Sequence, residues 1–222
     1  VRVLLMPSQY SSEGSVLDAI ALADNLGIQY DTIPIGSVFN EYKSTLDPYF
    51  KNLPENVTEE NIQARIRGML LMAFSNKFSS ILLNTTNKSE MAVGYGTLYG
   101  DLCGGLAVLA DVYKTQVYQL ANYINRQNEI IPENTIQKPP SAELKPGQKD
   151  SDSLPDYSIL DKILYQYIEK SLGPKELIQM GFDPAIVMQT LKMVNRAEFK
   201  RYQSPPVIRV SSKSFGLGRR MP

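Results

Sequence analysis

A cluster of small polar side chains follows a short apolar run near the middle of the chain. Ile81, Leu82 and Leu83 have the length and composition of a buried parallel strand. Thr85 and the carboxylate of Glu90 come just after this run. Ligands of open α/β sheets bind in the crevice at the carboxyl ends of the strands. The spacing therefore predicts that these two side chains lie in a ligand-binding crevice.

Two carboxylates in this stretch each have two interpretations. Asn87-x-x-Glu90 has the spacing of a capping box, in which the carboxylate bonds to the N-cap amide. The spacing alone favours this capping role for Glu90, and a ligand-binding carboxylate is the alternative. Asp101, after Gly100, is either a turn residue or a second functional carboxylate. The residues alone leave both alternatives open.

Cationic side chains provide candidates for binding an anionic substrate. Asn61 and Arg65 are four residues apart on a predicted helix over residues 58–78, so they share a face, whereas Arg67 points elsewhere. An arginine fork suits phosphate or carboxylate, although a solvated helix face is the competing explanation. Lys114 lies in the first turn of another predicted helix, where the helix dipole disfavours a cation unless an anion shares the site. We therefore predict a phosphate contact at Lys114.

Alternating elements must position these residues. Strand, helix, strand, helix and strand in sequence predict an α/β fold with a parallel sheet and helices on both faces. The predicted strands are 1–6, 30–35 and 81–83, and the helices before the loop are 15–25, 58–78 and 114–128. A loop over 138–156 separates this α/β core (1–137) from a helical C-terminal extension with a basic tail (157–222), whose predicted helices are 157–172, 174–180 and 184–199. We expect a single domain.

Composition excludes several classes of function. The 222 residues carry a formal net charge of zero, which argues against a nucleic-acid partner. No apolar run approaches the ~20 residues that span a bilayer, so we expect no membrane partner. The sequence has one cysteine, Cys103, and no histidine, so a disulfide framework, a Cys–His nucleophile and histidine metal ligands are excluded. We expect a cytoplasmic protein.

The order of these motifs is specific. Thr85, Asn87-Lys-Ser-Glu90 and Tyr99-Gly-Asp101 together closely resemble the synthetase domain of NAD synthetases, particularly the glutamine-dependent type. The resemblance runs through nearly the whole chain and includes Asn61-Ile-Gln-Ala-Arg65 and the lysine of Asp-Val-Tyr-Lys114. It implies a Rossmann-like fold of the adenine nucleotide alpha hydrolase type.

The resemblance also implies roles for individual residues. Asp101 would lie near the reacting carboxylate and the incoming ammonia. Glu90 would bind magnesium and lie beside the deamido-NAD. The implied ATP contacts are Thr85, Lys114 and Ser141, and the implied deamido-NAD contacts are Asn61, Arg65, Glu90 and one tail lysine, Lys213 or Lys200. The context of Lys213 is the better match, and a solvated basic tail is the competing explanation for both lysines.

The implied reaction is a two-step ligation. ATP adenylates the nicotinate carboxylate of deamido-NAD and releases pyrophosphate, and ammonia, free or from glutamine, then displaces AMP to give NAD. ATP is a substrate and Mg²⁺ the implied ion. The resemblance also implies a homodimer or larger homo-oligomer, and allows a covalently attached nitrilase-like glutaminase domain outside this chain.

The chain departs from the family pattern in ways that matter. The Ser-Gly-Gly-x-Asp-Ser phosphate loop is not in the sequence, and we expect the chain to begin after it. Leu98 and Gly105 replace a lysine and an aspartate that are common in ammonia-dependent members, which favours the glutamine-dependent branch. Two alternatives remain: another adenylating amidotransferase of this fold, or a non-catalytic nucleotide-binding or dimerisation module.

Overall fold

Four short parallel strands form two separate pairs. The computed structural model describes residues 1–51 and 53–216, so the end of the predicted basic tail, with Arg219 and Arg220, lies outside the described residues. The first pair is β1 (Arg2–Leu5) with β2 (Gln29–Thr32), and the second is β3 (Leu83–Asn84) with β4 (Leu106–Ala107). Val207 adds one further parallel bridge to Ala107, so the C-terminal segment extends the second pair.

Ten α-helices and one turn of 3-10 helix surround these strands in the described residues. They are α1 (Glu13–Asn25), α2 (Gly36–Phe50), α3 (Val57–Lys77), α4 (Lys88–Val93), α5 (Lys114–Ile124), α6 (Glu133–Gln137), the 3-10 turn (Asp150–Asp152), α7 (Tyr157–Ile168), α8 (Pro174–Gln179), α9 (Pro184–Arg196) and α10 (Glu198–Arg201). The structure confirms the six predicted helices and adds α2, α4, α6 and α10. No helix among these residues is both long and apolar enough to cross a membrane.

Side-chain caps explain where several of the predicted helices begin. Ser12 accepts a hydrogen bond from the Ser15 amide at the start of α1, and Asn56 and Glu59 form a reciprocal capping box at the start of α3. Asp156 and Asp183 accept amide hydrogen bonds at the starts of α7 and α9. These residue types satisfy amides that the first turn of a helix leaves without partners, so they fix the helix boundaries.

The main hydrophobic cluster joins the two halves of the chain. Met91 of α4 packs in one cluster with Leu160 and Leu164 of α7, Val194 of α9 and Phe215 of the C-terminal segment. Leu160, Leu164 and Val194 are fully buried. The loop predicted over 138–156 therefore separates two sets of elements that share one core.

A cavity of about 530 Å³ lies between the two strand pairs and is called the central cavity here. Strands β1 and β3 line it from opposite sides, and helices α1 and α3 contribute Ala19 and Gly68. The prediction that residues 81–83 form a buried strand is wrong in two respects: β3 begins only at Leu83, and Ile81 and Leu83 are 63% and 45% exposed.

Candidate active site

The candidate site is a cleft made of two adjoining cavities. Thr85, the first residue after β3, is exposed and lines the central cavity. A second cavity, of about 450 Å³, is lined by Glu90 and Lys114. Asp101 and Ser141 line both cavities, so the two cavities adjoin. Five of the predicted site residues thus converge on one place.

The loop predicted over residues 138–156 crosses this cleft. The Ser141 hydroxyl donates to the Gln148 carbonyl at 2.6 Å and accepts from the Glu143 amide at 3.1 Å. Gln63 of α3 is fully buried and donates to the Leu144 carbonyl at 2.9 Å. The Ser141 end of the loop is therefore fixed from within and from α3, although its sequence shows no periodicity.

The other end of the loop is held by a buried carboxylate. Asp150 accepts hydrogen bonds from the hydroxyls of Tyr95 at 3.0 Å and Tyr157 at 2.9 Å. Burial first, and then the negative charge of Asp150, raise the pKa of both tyrosine hydroxyls, so they remain protonated donors. The loop is therefore attached at both ends, to α3 and to the segment around α4 and α7.

Glu90 has the capping role and faces the cleft as well. One of its oxygens accepts from the Asn87 amide at 3.0 Å, and Asn87 accepts from the Glu90 amide, so the capping box is present. The other oxygen lies 3.1 Å from Nζ of Lys114. Burial alone would lower the pKa of Lys114, but the charge and the hydrogen bond of Glu90, with smaller contributions from Tyr118 and Asp150, together outweigh it and raise the pKa. The carboxylate of Glu90 is thus an anion that stabilises Lys114 at the start of α5.

Asp101 is connected to α3 through one threonine. The Thr97 amide donates to the Asp101 carboxylate at 2.6 Å, and the Thr97 hydroxyl donates to Asn61 at 2.7 Å. Asp101 is solvent-accessible, but the walls of the cleft surround its carboxylate, and this desolvation raises its pKa. Asn61 and Asp101, predicted as substrate contacts from separate motifs, therefore belong to one hydrogen-bonded group.

The two tail lysines lie in different places. Lys200 donates to the carbonyls of Gly94 at 2.8 Å and Gly96 at 2.7 Å. Burial, with a smaller contribution from Arg65, lowers the pKa of Lys200, while the charge of Asp101 opposes this. Lys200 and Asp101 both bond to the segment from Gly94 to Thr97, so they lie close together. Arg65 is exposed and donates to the Leu98 carbonyl at 3.3 Å.

Lys213 lies outside this group. Its Nζ contacts the Ser171 hydroxyl at 2.6 Å, just beyond the end of α7. The structure therefore brings Lys200 to Asp101 and Arg65 and places Lys213 elsewhere, although the sequence context favoured Lys213.

Two further residues shape the cleft and were not predicted as site residues. Asn84 is buried and donates to the carbonyls of Asp101 at 2.6 Å and Cys103 at 3.0 Å, so it fixes the loop that carries Asp101. Arg67 leaves the Asn61–Arg65 face, as predicted, but points into the central cavity and donates to the Met6 carbonyl at 3.0 Å. The only sequence signal for Asn84 was its position as the first polar residue after the apolar run.

Cys103 lines the central cavity as a half-buried free thiol. Burial raises its pKa, so the protonated form dominates at neutral pH, and a protonated thiol is a poor nucleophile. This state agrees with the exclusion of a cysteine nucleophile from the sequence.

Comparison with known proteins identifies the family. The family model described as NAD synthase matches residues 1–204. The chain belongs to the NAD synthase family. It is 53% identical over 219 residues to the glutamine-dependent NAD(+) synthetase of Synechocystis sp., covering 99% of this chain and 39% of that protein. It is 51% identical over 224 residues to the same enzyme of Thermotoga maritima, covering 100% and 39%. The chain therefore spans about two fifths of the length of these relatives.

Solved structures of NAD synthase relatives agree with the fold. The glutamine-dependent NAD+ synthetase of Acinetobacter baumannii, solved with ADP, matches with a TM-score of 0.62 and 45% identity over 100% of this chain and 40% of that one. An NMN synthetase from Francisella tularensis matches with a TM-score of 0.76 and 26% identity over 90% and 75%. The predicted fold class and the resemblance to the glutamine-dependent branch are both confirmed.

Proposed function

We propose that the protein containing this chain forms NAD from deamido-NAD, ATP and ammonia, with release of pyrophosphate and AMP. The observation that carries this proposal is the composition of the cleft. It combines hydroxyls for a nucleotide, the ammonium group of Lys114 for phosphates, and the carboxylate of Asp101, which the walls of the cleft surround. Family membership supports an ATP-dependent amidation at such a site.

The ATP contacts in this proposal are Thr85, Ser141 and Lys114. Thr85 and Ser141 face the central cavity, and Lys114 lies at the adjoining cavity, so a nucleotide that contacts all three would extend along the cleft. The ammonium of Lys114 would neutralise phosphate charge as pyrophosphate leaves. The solved relative from Acinetobacter baumannii was obtained with ADP, which supports an adenine nucleotide here.

The deamido-NAD contacts in this proposal are Asn61, Arg65, Glu90 and Lys200, with Lys213 remaining a prediction from the sequence. Arg65 and Lys200 would bind the anionic groups of the substrate. Asp101 lies within this group, and its raised pKa makes it a better acceptor for the proton that ammonia loses as its nitrogen attacks the adenylated carboxylate. The nitrogen gains a bond to carbon, a proton passes to Asp101, and AMP leaves with the bonding electrons.

Magnesium would bind between the nucleotide phosphates and Glu90. Within the described residues no three acidic, histidine or cysteine side chains form a ready metal cluster. This donor set still fits Mg²⁺, which takes one or two carboxylates and completes its shell with phosphates and water. When bound, the ion would neutralise phosphate charge.

The proposal also covers the source of the ammonia, the oligomeric state and the compartment. The names of the relatives and the share of their length that the chain spans support ammonia from glutamine, delivered by an attached nitrilase-like glutaminase domain. Exposed apolar side chains on α3, Met69 at 70% and Met72 at 37%, support a homodimer through this helix. Light scattering after size exclusion tests the assembly. The cytoplasm remains the expected compartment.

The decisive experiment is an assay for NAD formation with a preparation of known intact mass. The mixture contains deamido-NAD, ATP, Mg²⁺ and ammonium, and pyrophosphate release is followed alongside NAD. We expect release with deamido-NAD and its abolition by Asp101→Asn. Absence of turnover in a protein that also contains a phosphate loop would contradict the proposal.

A substrate panel separates the alternatives. Nicotinate mononucleotide is included because one structural neighbour is an NMN synthetase. Xanthosine monophosphate and aspartate test for other adenylating amidotransferases. A non-catalytic module would bind deamido-NAD in a calorimeter without any ATP cleavage.

A further inference from the structure

Helix α5, which carries Lys114, is capped by residues from other helices. Its N-cap residue, Tyr113, makes no side-chain capping bond to the first turn. The amides of the first turn of a helix have no partner within the helix. Two of them are satisfied from elsewhere: the Lys114 amide donates to the hydroxyl of Ser89 at 2.9 Å, and the Thr115 amide donates to Asp161 at 2.8 Å.

Asp161 joins both of these contacts. One of its oxygens accepts from the Ser89 hydroxyl at 2.5 Å, and the other accepts from both the amide and the hydroxyl of Thr115 at 2.8 Å. The residue is 5% exposed and belongs to α7, in the C-terminal helical extension. A single buried carboxylate therefore ties together the starts of α4 and α5.

This connection sets the geometry of the Glu90–Lys114 pair. Ser89 immediately precedes Glu90, and Lys114 immediately precedes Thr115, so Asp161 fixes the backbone next to each member of the pair. The negative charge of Asp161 at the start of α5 also offsets the unfavourable position of Lys114 in the helix dipole. Asp161 does not line either cavity of the cleft, so it acts through its neighbours.

We propose that Asp161 is a positioning residue that holds the ammonium of Lys114 where the phosphates of ATP bind. The inference rests on the proposed function of Lys114. Small displacements of a binding group have large effects on rate and affinity, and about 1 Å can cost about 100-fold. The helical extension thus takes part in nucleotide binding without touching the nucleotide.

The test compares Asp161→Asn with Asp183→Ala in the full protein. The asparagine keeps the shape but removes the negative charge and replaces one accepting oxygen with a donor, so either the Ser89 hydroxyl must reverse its hydrogen bond or the Thr115 contacts are lost. Asp183→Ala removes a helix cap from α9 of the same extension, away from the cleft, and serves as the matched control.

We expect Asp161→Asn to speed amide hydrogen exchange at Lys114 and Thr115 and to raise the KM for ATP about 10- to 100-fold. The KM for deamido-NAD should change less than about threefold, whereas Asp183→Ala should change neither KM. A purely structural role would lower kcat through the active fraction and leave the KM for ATP unchanged. That result, or unchanged exchange at α5, would overturn the inference.

A second variant and a binding measurement complete the test. If Asp161→Asn does not fold, Thr115→Val, which removes only the hydroxyl contact, should shift the KM for ATP in the same direction by a smaller factor. If the unmodified protein makes no NAD, the proposed function fails separately. Calorimetric titration with ATP together with amide exchange then still decides whether Asp161 positions a nucleotide-binding lysine.

Discussion

Lys88 and Lys114 occupy the same position in two neighbouring helices but have different surroundings. Lys88 begins α4 and Lys114 begins α5, where the helix dipole disfavours a cation. The Lys88 side chain is 0% exposed and lies 2.8 Å from Asp111 and 2.9 Å from Glu169. The Lys114 side chain is 19% exposed and, in the described part of the chain, has Glu90 as its one ion-pair partner.

The difference distinguishes a structural lysine from the lysine that we propose to bind ATP. An ammonium group has three donors. Those of Lys88 are satisfied by Glu169, the Ser211 hydroxyl and the Lys213 carbonyl, in addition to Asp111. Lys114 meets one carboxylate at the edge of a cleft and retains donor capacity toward it. A lysine whose donors are all bonded to protein groups is expected to be structural. A lysine that keeps a donor at a cavity is expected to bind a ligand.

The largest expected effect tests the structural lysine. Lys88→Met leaves the carboxylates of Asp111 and Glu169 without their cation, so the free energy of unfolding should fall by about 3–5 kcal/mol. Urea denaturation measures the change. Lys192→Met, at an exposed position of α9, is the control and should stay within about 0.5 kcal/mol of the unmodified protein. A loss below about 1 kcal/mol for Lys88→Met would remove the distinction between the two lysines.

The next effect is on binding. Lys114→Met should lower the affinity for ATP about 10- to 100-fold, which is the worth of a charge-assisted contact to phosphate. Its free energy of unfolding should change by only about 1 kcal/mol, because the pair with Glu90 is partly exposed. Calorimetry and urea denaturation on the same preparation check both quantities. Equal destabilisation by Lys88→Met and Lys114→Met would contradict the comparison.

A smaller effect concerns the stability of the protein at acidic pH. Burial alone would raise the pKa of Asp111 and of Glu169, but hydrogen bonds, including those from Lys88, outweigh it and lower both. A lowered pKa contributes stability that is complete above the ordinary values of 3.8 and 4.5 and is lost as the pH falls below them. Stability should therefore decline on acidification below about pH 4.5, and less steeply in Glu169→Gln. Denaturation at a series of pH values measures how steeply the stability of each protein depends on pH. Equal slopes for the two proteins would exclude Glu169 as a source of this pH dependence.

The smallest effect separates the two tail lysines. Lys200→Met should raise the KM for deamido-NAD about tenfold, because Lys200 lies beside Asp101 and Arg65. Lys213→Met should change it less than about twofold, because its ammonium contacts Ser171 instead. Steady-state kinetics with deamido-NAD varied distinguish them. The reverse ranking would restore the preference for Lys213 that the sequence context gave.

The sequence predicted the elements whose signals are local. Helices α1, α3, α7 and α9 begin at capping residues that can be read directly, and Glu90 and Lys114 stand in recognisable motifs. Helix α2 was missed because its N-cap, Ile35, has no side-chain acceptor and Pro48 lies within it. Strand β4 has only two residues and carries no period.

The rest depends on distant partners. Nothing near Lys88 distinguishes it from Lys114, because the groups that bury it come from Glu169, Ser211 and Lys213. The choice between Lys200 and Lys213 likewise depends on how the C-terminal segment passes over α4. Asp161 is locally one of several polar residues in an amphipathic helix, and only the packing of α7 against α4 and α5 shows what it contacts.

The contacts of Lys88 form with residues that are synthesised long after it. Its partners Glu169, Ser211 and Lys213 follow it by 81, 123 and 125 residues. At about 5–20 residues per second, a ribosome adds 125 residues in roughly 6–25 s. During the early part of that interval Asp111 is the available partner of Lys88, and water satisfies its remaining donors. Release of the chain before residue 213 is therefore expected to yield a product that is degraded instead of a partly active enzyme.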